Sequence, residues 1–223
     1  MTRRRPSQAS SLGDRAAIAS QATGCSESGA VLVLALIISG LLAALGISLV
    51  MVADTERRAA ANAATSAQSL AAADAIVSRA LADLRRAPDW TPLVNGTQGS
   101  AFADQSRRIT LTSGDILDLD ARTAELQARS GAFGANTPRW QLFAWGPLSR
   151  LNNDEPIDRA QYLSAWLADD PNDEDGDPLT DSNGRITLHG EARGPGGAMR
   201  VVEASVARTD DGVMHVLSWR EVR

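Results

Sequence analysis

Residues 30–52 read AVLVLALIISGLLAALGISLVMV, 23 residues without a charge. As an α-helix this run spans about 34 Å, enough to cross a hydrocarbon core of about 30 Å. Its weak points are Ser39, Gly40, Gly46 and Ser48, and membrane helices tolerate serine and glycine. A core helix of a soluble domain would carry a polar stripe over such a length. A secretory signal has a shorter apolar region, about 7–15 residues, followed by a small-residue cleavage site. The run is therefore expected to be a membrane-spanning helix.

The flanks on its two sides differ. The preceding 29 residues carry Arg3, Arg4, Arg5 and Arg15 against Asp14 and Glu27, a net +2. Their Ser, Gly and Pro content points to disorder. The arginines favour holding this end in the cytoplasm, which puts the rest of the chain in the periplasm. Cys25 lies in ATGC, which resembles a lipobox, but a lipobox needs its apolar stretch before the cysteine and here it follows. A single cysteine also excludes an internal disulfide framework and a cysteine-clustered metal site.

After the run the helix is expected to continue. Residues 54–87 are rich in alanine and contain no Gly or Pro. Leu70, Val77, Leu81 and Leu84 recur at spacings of seven, four and three, which puts them on one face for packing. Pro88 ends the segment. Residues 30–87 would then form one helix about 87 Å long. Its first half, 30–53, is apolar all round, and its second half, 54–87, is amphipathic.

A leader ending in glycine, followed by an apolar helix that turns amphipathic, resembles a type IV pilin-like precursor. The step from ESGAVLVLALIIS through Glu56 and Arg57 to Asn62, Gln68 and the stretch 71–75, with Asp74 where the family has glutamate, resembles the N-terminal segment of PilX-type minor pilins. The resemblance covers about residues 27–87. It implies cleavage by a membrane prepilin peptidase between Gly29 and Ala30, and methylation of the new N-terminus. It also implies a single-pass inner-membrane protein whose partners are other pilins and minor pilins, the inner-membrane assembly platform and a pilus-tip adhesin. Two positions depart from the major-pilin pattern. The fifth mature residue, usually glutamate, is Leu34, and the first, usually phenylalanine or methionine, is Ala30. Loss of that glutamate argues against a self-polymerising major pilin and suits a minor pilin that starts or caps a filament.

Residues 88–223 should form a periplasmic, β-rich head. Residues 107–112 (RRITLT), 138–148 (PRWQLFAWGPL) and 162–167 suggest strands. Residues 184–192, 199–208 and 213–221 alternate apolar and polar, with glycine-rich turns between them. The expected fold is α+β and pilin-like, with an antiparallel meander packed on the amphipathic half of the helix. His189 and His215 fall on these strands, and no nucleophile elbow, HExxH pair or phosphate-binding loop accompanies them. No catalytic residue is therefore assigned.

The acidic loop 169–181, DDPNDEDGDPLTD, holds seven acids and no base. Asp173, Asp175, Asp177 and Asp181 fit an alternating spacing that can turn hard oxygen ligands inward, a candidate Ca²⁺ site. A solvated acidic loop is the competing reading. The net charge of −5 disfavours nucleic acid as a partner. Two alternatives to the minor pilin stand beside it: a type II secretion pseudopilin of the K type, and an anchored periplasmic binding module that does not polymerise.

Overall fold

The computed structural model describes residues 24–151 and 161–222, with side chains from residue 29 onward. The leader expected over residues 1–29 lies outside the described residues as far as residue 23, and so does the side chain of Cys25. The chain divides into two compact units, up to Ala59 and from Ala60.

Helix α1, Gly24–Arg86, is continuous. It begins six residues before the expected start at residue 30 and ends one residue before residue 87, ahead of Pro88. Gly29 and Ala30 therefore lie inside helix, and both are exposed. In the first unit the large apolar side chains from Val31 to Val52 are between 49% and 70% exposed. The segment is long and apolar enough to cross a membrane, with a mean hydropathy of 2.8. The Ser48 hydroxyl donates to the Ala44 carbonyl at 2.8 Å, which satisfies it without water. The first charges follow at once: Asp54 pairs with Arg57 at 2.6 Å and Arg58 at 2.8 Å.

In the second unit α1 buries a stripe of one residue per turn or two: Ala73, Ile76, Val77, Ala80 and Leu84, all at 0% exposure. Val77, Leu81 and Leu84 lie on the buried face as expected, and Leu70 packs at its margin. Alanine makes up much of that face, so the helix backbone comes close to what it covers.

What it covers is a five-stranded antiparallel meander of β3 (Gln141–Pro147), β4 (Tyr162–Asp169), β5 (Arg185–Arg193), β6 (Met199–Arg208) and β7 (Met214–Val222), in that order. The layout is α+β and pilin-like. Side chains alternate across the sheet. Leu163, Ala165 and Leu167 on β4, Ile186 and Leu188 on β5, and Val202, Ala204 and Val206 on β6 join α1 in the main core. Gly190 sits in the middle of this face, where a Cβ would stand 2.4 Å from the Val77 Cγ2 and 3.3 Å from the Ile76 Cγ2.

The C-terminus of α1 has no glycine cap. Its orphan carbonyls are met by Trp90, just beyond the helix, and by Arg208, far along the chain. Trp90 Nε1 donates to the Leu84 carbonyl at 3.0 Å. The Arg208 guanidinium donates to the carbonyls of Leu84, Ala87 and Pro88, and lies 4.2 Å from the centroid of the Trp90 ring.

The opposite face of the sheet is covered too, which sequence patterning did not suggest. Short strands β1 (Arg108–Thr110) and β2 (Ile116–Asp118) form an antiparallel hairpin that leads into α3, Leu119–Arg129. A single turn, α2 (Thr91–Val94), precedes them. Asp118 caps α3 by accepting from Asp120 N at 3.1 Å and Ala121 N at 3.0 Å. Leu119 and Leu126 then meet Trp145, Tyr162 and Trp166 in a second core.

The contact at Gly190 makes the packing of α1 sensitive to one methyl group. Gly190→Ala should cost about 1–3 kcal/mol through overpacking against Val77. Denaturant unfolding of the detergent-solubilised chain, followed by tryptophan fluorescence, measures this. Unchanged stability would show that α1 and β5 can separate freely.

Candidate functional site

Along α1, the positions that carry the pilin resemblance have distinct surroundings. Gly29 has open space around the position of a Cβ. Asn62 and Gln68 are exposed. Asp74 accepts from Trp219 Nε1 at 2.9 Å, which ties edge strand β7 to the helix.

The acidic loop joins β4 to β5, and its carboxylates divide into two groups. Asp175 and Asp177 are exposed and folded onto their own backbone: Asp175 Oδ1 accepts from Asp177 N at 2.9 Å, and Asp177 Oδ1 from Leu179 N at 3.1 Å. The Thr180 hydroxyl donates to Asp177 Oδ2 at 2.9 Å. These turns two residues on engage one oxygen of Asp175 and both of Asp177, while both side chains stay out in solvent. Of the expected set Asp173, Asp175, Asp177 and Asp181, the fold brings together only Asp173 and Asp181. The third member of the group is Asp169, the last residue of β4, with one carboxylate oxygen from each of the three lying within 4.8 Å of the others.

Each of the three is held differently. Asp173 is 1% exposed. Its Oδ2 accepts from Ser182 N at 2.8 Å and Asn183 N at 3.2 Å, and its Oδ1 accepts from the Ser182 hydroxyl and from Asp175 N at 3.3 Å. Burial acts against its charge, but these donors hold its carboxyl below the ordinary carboxylate range. Asp181 Oδ1 accepts from Arg185 N at 3.0 Å. Asp169 is 2% exposed, and among the described residues its Oδ1 has no hydrogen-bond partner. Burial, aided by the neighbouring carboxylates, pushes Asp169 up to about 7; burial, with Asp173 nearby, pushes Asp181 up to about 6.

A second charged cluster lies on the sheet face beneath α3. His189 on β5 stands between Glu191 and Glu203, with ring nitrogens 3.1 Å from a carboxylate oxygen of each. Glu191 is fully buried and also accepts from Arg122 of α3, at 2.8 Å to Nε and 2.6 Å to Nη2. Arg193 lies 3.4 Å from its other oxygen, and Arg220 of β7 pairs with Glu203 at 2.7 Å. The edges of Trp140 and Trp166 close over the imidazole at 5.7 and 5.8 Å between centroids. Burial alone would lower the imidazole's pKa, but the two glutamates outweigh it and raise it. Burial likewise works against the Glu191 charge, yet His189 and Arg122 hold this carboxyl at about 2.

Sequence reasoning placed His189 on a strand but missed the network, because Glu191 and Arg122 are 69 residues apart. The one local signal was the Asp118 cap ahead of Leu119, Arg122 and Leu126, a helical spacing with a cation in its apolar stripe. Compared with family models, curated proteins and solved structures, the chain finds no match in any of the three.

The network locks α3 to the sheet, and it depends on pH in a defined direction. A raised histidine contributes stability that is full below its ordinary value of about 6.5 and is lost as pH rises through its folded value. The depressed Glu191 contributes stability above its ordinary range, lost as pH falls toward about 2. The stability advantage of the native chain over His189→Gln should thus be about 1–3 kcal/mol at pH 5.5 and shrink toward pH 9. Unfolding titrations of both proteins across that range measure it. An advantage that grows with pH would mean that His189 is neutral throughout.

Proposed function

We propose that the chain is a minor pilin-like subunit, of the PilX type, that helps to initiate or cap a type IV pilus. It acts by packing rather than by catalysis. The observation that carries the reading is the single helix α1. Its 0%-buried apolar segment runs without a break into an amphipathic segment seated on an antiparallel sheet. An anchor alone needs only the first part. A helix that serves both as membrane span and as the spine of the head suits a subunit that is stored in lipid and then drawn into a helical bundle.

In this reading the protein is a single-pass inner-membrane protein, with its N-terminus cytoplasmic and its head periplasmic. Prepilin peptidase removes the leader after Gly29, and Ala30 becomes the methylated N-terminus. The apolar half of α1 then packs among the helices of other pilins and minor pilins at the assembly platform. Leu34, where major pilins have glutamate, leaves no carboxylate to pair with a neighbour's terminal amine. That fits a subunit placed at an end of the filament. The head is free to meet a tip adhesin.

N-terminal sequencing and intact mass of the protein from cells with an active prepilin peptidase test this reading. The expected mature chain begins at Ala30, with the mass of the leader lost. Full-length protein in such cells would contradict the reading and favour an anchored module that never polymerises.

A further inference from the structure

Asp169 poses a problem that the fold does not solve with its own groups. It is 2% exposed, and its Oδ1 has no partner among the described residues. Around it are two more carboxylates, Asp173 and Asp181, and among the described residues no arginine forms an ion pair with any of the three. Arg208, the cation that favours the charged form of Asp181, spends its donors on the carbonyls at the end of α1. The Asp170 N–H favours the charge of Asp169, but a buried carboxylate with one oxygen left bare still gains from a proton or a cation.

The geometry favours a cation. The three oxygens come from separate, well-held positions: the end of β4, the buried turn at Asp173, and the approach to β5. Asp173 is fixed by three backbone N–H groups and the Ser182 hydroxyl, and Asp181 by Arg185 N. Asp169 and Asp181 keep lone-pair capacity for an ion, whereas the Asp173 oxygens already accept two bonds each, of which an ion would replace the longest, from Asn183 N at 3.2 Å or Asp175 N at 3.3 Å. Two ligands bonded to one Ca²⁺ at about 2.3–2.6 Å can subtend the 4.8 Å within which the three oxygens lie. We propose that Asp169, Asp173 and Asp181 form a Ca²⁺ site that clamps the acidic loop to the β4 end of the sheet, with Asp175 and Asp177 outside it. The site does not depend on the pilin reading, since a non-polymerising head would hold it equally well.

The test uses the full chain in detergent. All five tryptophans lie at or beyond residue 90, so their fluorescence reports the unfolding of the head alone. Adding Ca²⁺ at about a hundred times its Kd to chelator-treated protein should raise Tm by roughly 5–10 °C. Asp169→Asn keeps the shape and removes the charge. It should fold without Ca²⁺ at least as well as the native chain and show no rise. Asp175→Asn and Asp177→Asn should respond as the native chain does. Equilibrium dialysis with radioactive Ca²⁺ provides a second readout, expected to give one ion per native chain and none for Asp169→Asn or Asp181→Asn. The proposal is overturned by no rise and no bound ion at millimolar Ca²⁺, by a full response in Asp169→Asn, or by loss of response in Asp175→Asn or Asp177→Asn. An equal response to Mg²⁺ at the same concentrations would overturn the assignment to calcium.

Discussion

The close approach of α1 to β5 is the contact on which the head depends. It requires small groups on both sides. Ala73 and Ala80 flank Ile76 and Val77 on the helix, and Gly190 on the strand leaves room for Val77. Fully burying side chains such as Ile76 and Leu84 stabilises by about 1.5–3 kcal/mol each, and close packing lets that burial extend along several turns. Alanine also suits the helix itself, so local propensity and tertiary packing ask for the same residue. The end of this contact is closed by Trp90 and Arg208, which satisfy the carbonyls that Pro88 would otherwise leave exposed.

A sheet covered on both faces imposes a different chemistry on each. The face toward α1 is aliphatic. The face toward α3 carries Glu191, His189 and Arg122, charges that are tolerable in the interior because each has partners with good geometry. Removing one member strands the others, whereas an aliphatic substitution on the first face only opens a cavity. Asp169, at the rim, is a buried carboxylate whose Oδ1 has no partner among the described residues.

Much of this was legible in the chain. The alanine-rich extension and Pro88 set the end of α1 to within one residue, the uncharged run placed its start six residues late, and the alternation in residues 184–192, 199–208 and 213–221 located β5, β6 and β7. Periodicity reports burial against one surface. It showed the helix stripe of Val77, Leu81 and Leu84, but undervalued Ala73 and Ala80, because alanine signals propensity more strongly than burial. Helix α3 escaped because it is short and its buried face includes Arg122, whose partner lies 69 residues away. The acidic group was legible only in part. Spacing along a loop assumes that alternate side chains point together, but the fold buries Asp173 and leaves Asp175 and Asp177 exposed. Asp169 belongs to the group through the end of a strand, a relation that the loop's own spacing cannot contain.

One helix thus joins two environments, a segment fit for lipid and a segment that organises a folded head. In the proposed filament, the first would exchange lipid for neighbouring helices while the second keeps its sheet. Shearing pili from cells and probing the filament fraction for the head tests this most directly. The account predicts that the protein co-sediments with sheared filaments in a small, reproducible amount and depends on prepilin peptidase for its presence there. Protein confined to the membrane fraction of cells that make abundant pili would contradict it.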